Sequence, residues 1–119
     1  MADLQIFVED GEEAVVALLV AQSWYVHFGT SDQEAVKGDT ALIAASPEAR
    51  TLAVATNVDP DVAQFVGSIT DTTGQTIKEL GLFDAATNGT LIARGNLAAG
   101  YAVMLAGDVM EITVTIALS

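Results

Sequence analysis

The sequence predicts a mainly β protein, an antiparallel β-sandwich of about seven to nine short strands with one short N-terminal helix. Short apolar runs recur about every 8–14 residues, and clusters of Gly, Asn and Asp separate them, as in chains of short strands joined by turns. The last run, Val109–Leu118, alternates apolar and polar residues with the period of a half-buried strand. A chain of 119 residues is long enough for one core, so we expect one domain spanning 1–119.

The N-terminal region predicts one strand and one helix. Leu4–Val8 alternates well enough for a first strand. The helix is predicted over 12–21, where Asp10 followed by Glu13 resembles a capping box. The β-branched valines of this segment leave a buried strand as the alternative.

An aromatic strand and a long irregular stretch follow. Ser23–Phe28 predicts a strand with large rings on both faces, one face in the core and the other against a neighbour. Residues 30–49 lack clear periodicity, and such long loops are usually functional, so they predict contact with a partner subunit. A single helical turn at Thr40–Ala45 is the alternative.

Four further strands are predicted on either side of a central hairpin. They span 50–56, 62–70, 100–106 and 109–118, and the first two are joined by a polar turn at 57–61.

The central hairpin is the strongest local prediction. Asn88-Gly89 lies between two apolar runs, and both residues tolerate the positive φ of a tight turn, so strands are predicted over 76–83 and 90–96. Each face of the first strand mixes charged and apolar residues, which predicts a bulge near Gly81. Counting outward from the turn places Phe83 opposite Arg94. A direct pair of Glu79 with Arg94 therefore needs a bulge or a longer loop, and it would serve to define the strand register.

Composition excludes several classes of partner. The net charge is −12, with sixteen acids against Lys37, Arg50, Lys78 and Arg94. So few cations exclude a nucleic-acid backbone and an anionic membrane surface as partners. The longest apolar run, Ala14–Ala21, is far shorter than the ~20 residues that span a bilayer. The acidity suits either ordinary solubility or a protein adapted to high salt.

No pattern of residues predicts catalysis, and no cofactor or metal is expected. His27 lies in the aromatic strand without a nucleophile placed by a motif, so it predicts a structural or interface histidine. Asp59, Asp61 and Asp71 could together hold a hard cation at one end of the sandwich, but their spacing matches no calcium loop. The chain has no cysteine.

Several segments resemble tailed-virus virion proteins, including tail-collar and fibre-attachment domains and related small structural proteins. The most specific is the block Glu79–Asp84 followed by Gly89–Ile92. Trp24–Thr30, an aromatic strand ending in Gly-Thr, and Asp39–Leu42 followed by Glu48 and Arg50 are similar to other segments of these proteins, in the same order.

The resemblance implies a non-enzymatic β-sandwich subunit of a virus particle, assembled in the host cytoplasm. It decorates or stabilises the capsid, or alternatively belongs to the tail tip, collar or fibre attachment. The implied partners are other virion proteins and copies of the chain itself, commonly as a trimer. The predicted contact residues are Trp24, Tyr25, Phe28, Leu42 and Ile43. A less favoured alternative is a carbohydrate-binding module with Trp24, Tyr25 and Tyr101 as an aromatic platform.

Overall fold

One N-terminal helix and nine strands form in the computed structural model, which describes residues 8–118. The elements are α1 (Glu9–Val20), β1 (Tyr25–Gly29), β2 (Thr51–Leu52), β3 (Val54–Asp59), β4 (Val62–Thr70), β5 (Gln75–Ile77), β6 (Glu79–Phe83), β7 (Leu91–Asn96), β8 (Ala102–Met104) and β9 (Val109–Ala117). The predicted fold class, mainly β and sandwich-like with one N-terminal helix, is confirmed. The strand predicted at Leu4–Val8 lies outside the described residues, apart from Val8.

The strands form three antiparallel sheets. Their orders are β2-β1-β6-β7, β3-β4-β9 and the two-stranded β5-β8. The first two sheets face each other across the core. Phe28 and Val26 of β1 and Leu82 of β6 pack there with Phe65 of β4 and Ile112 of β9. These side chains are 0–1% exposed, as expected for the apolar faces of two stacked sheets.

Helix α1 begins earlier than predicted and without the predicted capping box. Val8 is the N-cap, and it makes no side-chain capping bond. Asp10 lies inside the first turn with Glu9 and Glu12. Their negative charges stabilise the helix there, because the N-terminal end of the helix dipole is positive. Val16 is fully buried in the core, and this packing stabilises the helical conformation. The alternative prediction for this segment, a buried strand based on its valines, is wrong.

Two predicted strands are divided in the structure. The segment predicted at 50–56 becomes β2 and β3, separated at Ala53, whose N–H donates to the Trp24 carbonyl oxygen at 2.8 Å. The first hairpin strand divides at Lys78, whose N–H donates to the Gly29 carbonyl oxygen at 2.9 Å. As a result β5 pairs with β8, and only β6 pairs with β7.

Strand β6 is buried on both faces, and this explains its mixed sequence pattern. Leu82 packs into the core between the sheets. Glu79 and Gly81 lie on the opposite face, under the 30–49 segment, and they are buried as well. A bulge occurs close to Gly81, between Leu82 and Phe83, and its extra residue, Ile92, lies on the partner strand β7.

Many aliphatic side chains remain exposed on the second and third sheets and on the residues that flank β8. Val54, Val103, Leu105 and Val109 are each more than 60% exposed, and Tyr101 is 59% exposed. The aromatic residues account for little of this exposed apolar surface. The high mean hydropathy of +0.45 therefore reflects aliphatic groups on the surface as well as in the core. Within residues 8–118 no helix is long and apolar enough to cross a bilayer.

Candidate functional site

The hairpin of β6 and β7 has the predicted turn residues and a loop that packs on its own side chains. Asn88 and Gly89 adopt φ of 56° and 70°, as a tight left-handed turn requires. The Asp84 carboxylate accepts a hydrogen bond from the Thr90 N–H at 2.7 Å and closes the loop. The turn prediction is confirmed at these two residues.

Arg50 fastens the same loop from outside the hairpin. Its Nη1 donates to the carbonyl oxygens of Ala85 at 2.8 Å and Asn88 at 2.7 Å. Its guanidinium carbon lies 3.6 Å from the centre of the Phe83 ring, a cation–π arrangement. One cation thus orients the loop through two bonds and one ring contact.

The register of the hairpin differs from the simple count. Glu79 faces Asn96 and Gly81 faces Arg94, because the loop is longer than two residues and Ile92 is bulged out of the ladder. Arg94 is therefore the diagonal neighbour of Glu79 on one face, within reach of a long side chain. Arg94 Nε lies 3.0 Å from Glu79 Oε1. The space beside Gly81 is used by Leu42, whose Cδ2 would lie 2.8 Å from a Cβ at this position.

The Glu79 carboxylate is fully buried and saturated with donors. Its Oε2 accepts the N–H groups of Ala44 at 2.8 Å and Ser31 at 3.2 Å, and its Oε1 accepts the N–H of Ile43 at 2.9 Å. Burial alone raises the pKa of Glu79, but these bonds together with Arg94 outweigh it and hold the pKa below its ordinary value. A carboxylate stabilised as the anion in this way is suited to holding a segment in place, not to exchanging protons near neutral pH.

Arg94 extends this arrangement to a second carboxylate. Its side chain is 2% exposed, its Nη1 lies 3.1 Å from Asp39 Oδ2, and its Nη2 donates to the Gln33 carbonyl oxygen at 2.8 Å. Asn96 adds two bonds, accepting from the Ala35 N–H and donating to Gln33. We call Glu79, Arg94, Asp39 and Asn96 the Glu79 clamp. It fastens the 30–49 segment over β6 and β7.

The 30–49 segment is therefore ordered by buried polar contacts. It forms one bridge, Ala45 with Gly29, and within Thr40–Ala45 it forms a turn at Ile43 and Ala44 but no helix. Gly29 permits its close approach, because a Cβ at this position would lie 2.5 Å from the Ala44 carbonyl oxygen and 2.6 Å from Glu79 Oε2. A contact of this segment with a partner subunit stays a prediction.

The predicted contact residues divide into buried and exposed members. The chain's own interior contains Trp24 (7% exposed), Phe28 (0%) and Leu42 (7%), so the expectation that these three face a partner is wrong for the isolated chain. Trp24 packs edge-on against Phe65 and donates its Nε1 proton to the Leu19 carbonyl oxygen, contacts that the sequence pattern did not indicate. Tyr25 is partly exposed and Ile43 is 46% exposed, so contact through these two stays a prediction.

The aromatic platform for carbohydrate lacks its main ring for the same reason. Trp24 is held in the core, while Tyr101 lies exposed before β8. Tyr25 is in β1, which belongs to a different sheet from β8. The three residues are not presented as one exposed surface.

His27 is a buried structural side chain. Its Nε2 lies 2.7 Å from the Glu48 carbonyl oxygen, a hydrogen bond in which the ring nitrogen donates. Burial lowers the pKa of His27 below 6.5, and the bond to Glu48 opposes this only in part. The Phe83 ring packs edge-on against the imidazole.

The three aspartates considered for a cation do not meet. Asp59 and Asp61 flank the turn before β4, whereas Asp71 follows the other end of this nine-residue strand. Asp71 Oδ1 accepts bonds from Gln75 Nε2 and from the N–H groups of Thr73 and Gly74 at 3.0–3.2 Å. Burial alone raises the pKa of Asp71, and these donors outweigh it, so the pKa is lowered. Within residues 8–118 no group of three His, Cys, Asp or Glu side chains is placed to bind a metal.

A surface cleft of about 410 Å³ lies beside the clamp, between the 30–49 segment and β7. It is lined by Ala35, Val36, Lys37, Asp39 and 91–94. The Arg94 charge in its wall is already paired with two carboxylates. The cleft therefore presents a mixed lining, in which backbone and side-chain polar groups lie beside the aliphatic side chains.

Sequence reasoning identified Glu79, Gly81 and Arg94 but missed the role of Asp39 and Asn96. Asp39 lies in the irregular 30–49 stretch, where the absence of periodicity gave no sign of its contact with Arg94. A comparison with protein-family models finds no matching family, and a comparison with curated proteins finds no similar sequence.

Proposed function

We propose that the chain is a non-enzymatic structural subunit of a tailed-virus particle, a symmetric homo-oligomer that decorates and stabilises the capsid. The observation that supports this most is the distribution of charged and apolar groups. The motif residues Glu79 and Arg94 are used inside the fold, where they fasten a segment, while aliphatic side chains lie on the surface. Exposed aliphatic surface is what a subunit offers to its neighbours.

The Glu79 clamp supports the same proposal, because it fixes the position of the 30–49 segment. A particle subunit needs a fixed shape, because its contacts repeat by symmetry across the assembly. A buried carboxylate with three backbone donors and an arginine gives the 30–49 segment one defined position. Breaking such a buried pair is costly, which keeps the segment closed.

The proposal is tested by measuring how many copies of the chain are present in purified particles of the virus that encodes it. Quantitative mass spectrometry should find the chain at a copy number that matches the capsid lattice. Particles that lack it should regain it when the purified chain is added, and should then withstand higher temperature. Absence from the particles, with no binding after addition, would reject the proposal.

The alternative is a tail-tip, collar or fibre-attachment subunit of the same kind of particle. It predicts a small copy number that follows the symmetry of the tail, and labelling confined to one vertex in electron micrographs. The same mass-spectrometry measurement therefore separates the two locations.

The acidity supports operation at high salt. With a net charge of −12, self-repulsion opposes the folded state at low ionic strength, and molar salt screens it. The free energy of unfolding should rise between 0.1 and 2 M KCl in urea titrations. A flat or falling dependence would remove salt adaptation and leave the structural role untouched.

A further inference from the structure

Strand β9 is a long strand at the edge of its sheet in the described part of the chain. It runs for nine residues, Val109–Ala117, and pairs with β4 along its whole length without a register shift. Among the described residues β4 is its sole strand partner, so its other side presents backbone N–H and C=O groups in a row.

The other sheet edges carry the features that usually prevent strand pairing. Strand β2 has two residues, β5 and β8 have three each, and β3 contains a bulge between Asn57 and Asp59. Strand β7 contains Arg94 and lies beside the 30–49 segment. Arg94 and Asn96 of this strand form hydrogen bonds with Gln33 and Ala35 of the segment. Strand β9 has no proline, lysine, arginine or bulge.

Charge favours a second copy of the chain as the partner of this edge. Two copies with a net charge of −12 repel each other over most of their surfaces. Of the twenty charged residues, β9 contains one, Glu111, and β4 contains none. A contact of β9 with β9 therefore brings together one charged residue from each copy, and β9 is the longest sheet edge with so little charge.

We propose that β9 pairs antiparallel with β9 of a second copy about a two-fold axis at Thr113, joining two three-stranded sheets into one of six strands. Thr113 is the middle residue of β9, so this register pairs all nine residues. Glu111 then faces Thr115 of the second copy, and the two glutamates do not face each other. Val109 faces Ala117 at each end.

The core side of β9 fits the same register. Met110, Val114 and Ile116 point toward the core but remain partly exposed, in contrast to the buried Ile112. In the proposed pairing Ile112 faces Val114 of the second copy, and Met110 faces Ile116. Pairing therefore covers apolar surface that the single chain leaves open.

This inference deepens the proposed function by naming one partner, a second copy, and it rests on the homo-oligomer proposed there. It can fail separately from the proposed function, because a chain that binds particles but does not pair through β9 would leave the particle role standing. It also specifies a two-fold contact, which differs from the trimer that the resemblance implies.

Single cysteines test the register, since the natural chain has none. At the axis, the Cβ atoms of Thr113 and its copy should lie about 4.5–5.5 Å apart, close to the separation of a disulfide. Thr113→Cys should therefore give a covalent dimer under mild oxidation. Thr115→Cys is the matched control, because in this register its two copies lie about 13 Å apart along the strands.

Charge variants test the same contact without a covalent bond. Thr113→Glu places like charges together at the axis and should weaken dimerisation by about twofold to fivefold in sedimentation experiments. Thr115→Lys faces Glu111 of the second copy and should tighten dimerisation by about threefold to tenfold. Thr56→Glu, exposed on β3 of the same sheet, is the control and should leave the dimer unchanged.

Three results would overturn the inference. One is a natural chain that sediments at its monomer mass of 12.3 kDa, or as a trimer, at 0.15 and 2 M KCl. The second is equal crosslinking of Thr113→Cys and Thr115→Cys. The third is dimerisation that appears only after residues 2–7 are removed, since the chain's own N-terminal residues would then cover β9.

Discussion

The two large sheets use their charged residues in opposite ways. In the sheet β2-β1-β6-β7, Glu79 and Arg94 are buried beneath the 30–49 segment, which covers the face of β6 that lies away from the core. In the sheet β3-β4-β9, the outer face is open to solvent, and along its three strands Asp59 and Glu111 are the charged residues. The comparison indicates that one sheet is closed by the chain itself, while the other remains available to a neighbour.

Substitution of Glu79 should lower the free energy of unfolding far more than substitution of a charged residue in the other large sheet. Glu79→Ala leaves the Arg94 guanidinium with one carboxylate and three buried N–H groups without acceptors. We expect a loss of about 3–5 kcal/mol in the free energy of unfolding, measured by urea titration. Glu111→Ala, on the exposed side of β9, should change it by less than about 0.5 kcal/mol. Equal losses at the two positions would contradict the comparison.

Acid should weaken the fold through the same carboxylate. The folded-state pKa values of Glu79 and Asp71 lie below their unfolded values, so their contributions are fully present above the unfolded pKa. They are lost as the pH falls through the folded values. His27 acts in the same direction, because its pKa is lowered from 6.5 and its protonation below that pH favours the unfolded chain. Urea titrations between pH 7 and 3 should show falling stability, with a shallower slope for Glu79→Gln.

Closing the space beneath the segment should cost less. Gly29→Ala introduces a Cβ within 2.6 Å of both the Ala44 carbonyl oxygen and Glu79 Oε2, and the segment must move away. We expect a loss of about 1–3 kcal/mol in the free energy of unfolding. The control is Gly95→Ala in β7, where a Cβ meets nothing within 4 Å. A neutral Gly29→Ala would show that the segment is not tightly seated.

The hairpin loop should give the smallest effect. Arg50→Lys removes the planar group that lies over Phe83 and cannot keep the same bonds to Ala85 and Asn88. We expect a loss of about 1 kcal/mol, seen as a lower midpoint in thermal unfolding by circular dichroism. Lys37→Arg, an exposed conservative change, should not shift the midpoint. A similar shift in both variants would mean that Arg50 acts through its charge alone.

Local sequence patterns were sufficient where one face of an element meets the core and the other meets solvent. Strand β4 begins and ends where its alternation predicted, and β9 ends one residue short of its predicted limit. The Asn88-Gly89 turn followed from backbone sterics, which act within a few residues. The helix was predicted in the right region, but it begins at Glu9, three residues before its predicted start, and without the predicted capping box.

The tertiary structure alone decided which side chains the long segment would cover. Periodicity assumes one buried face, so it could not describe β6, whose Glu79 lies under residues more than thirty positions earlier in the chain. It also could not place Trp24 in the core, because that burial depends on Phe65 from another sheet and on the carbonyl of Leu19. The sequence by itself determined strands β4 and β9, the Asn88-Gly89 turn and the scarcity of charge on these two strands. Contacts between distant segments divided the strands predicted at 50–56 and 76–83. The fold decided which charges were buried, because a buried carboxylate is stable only where distant backbone donors converge on it.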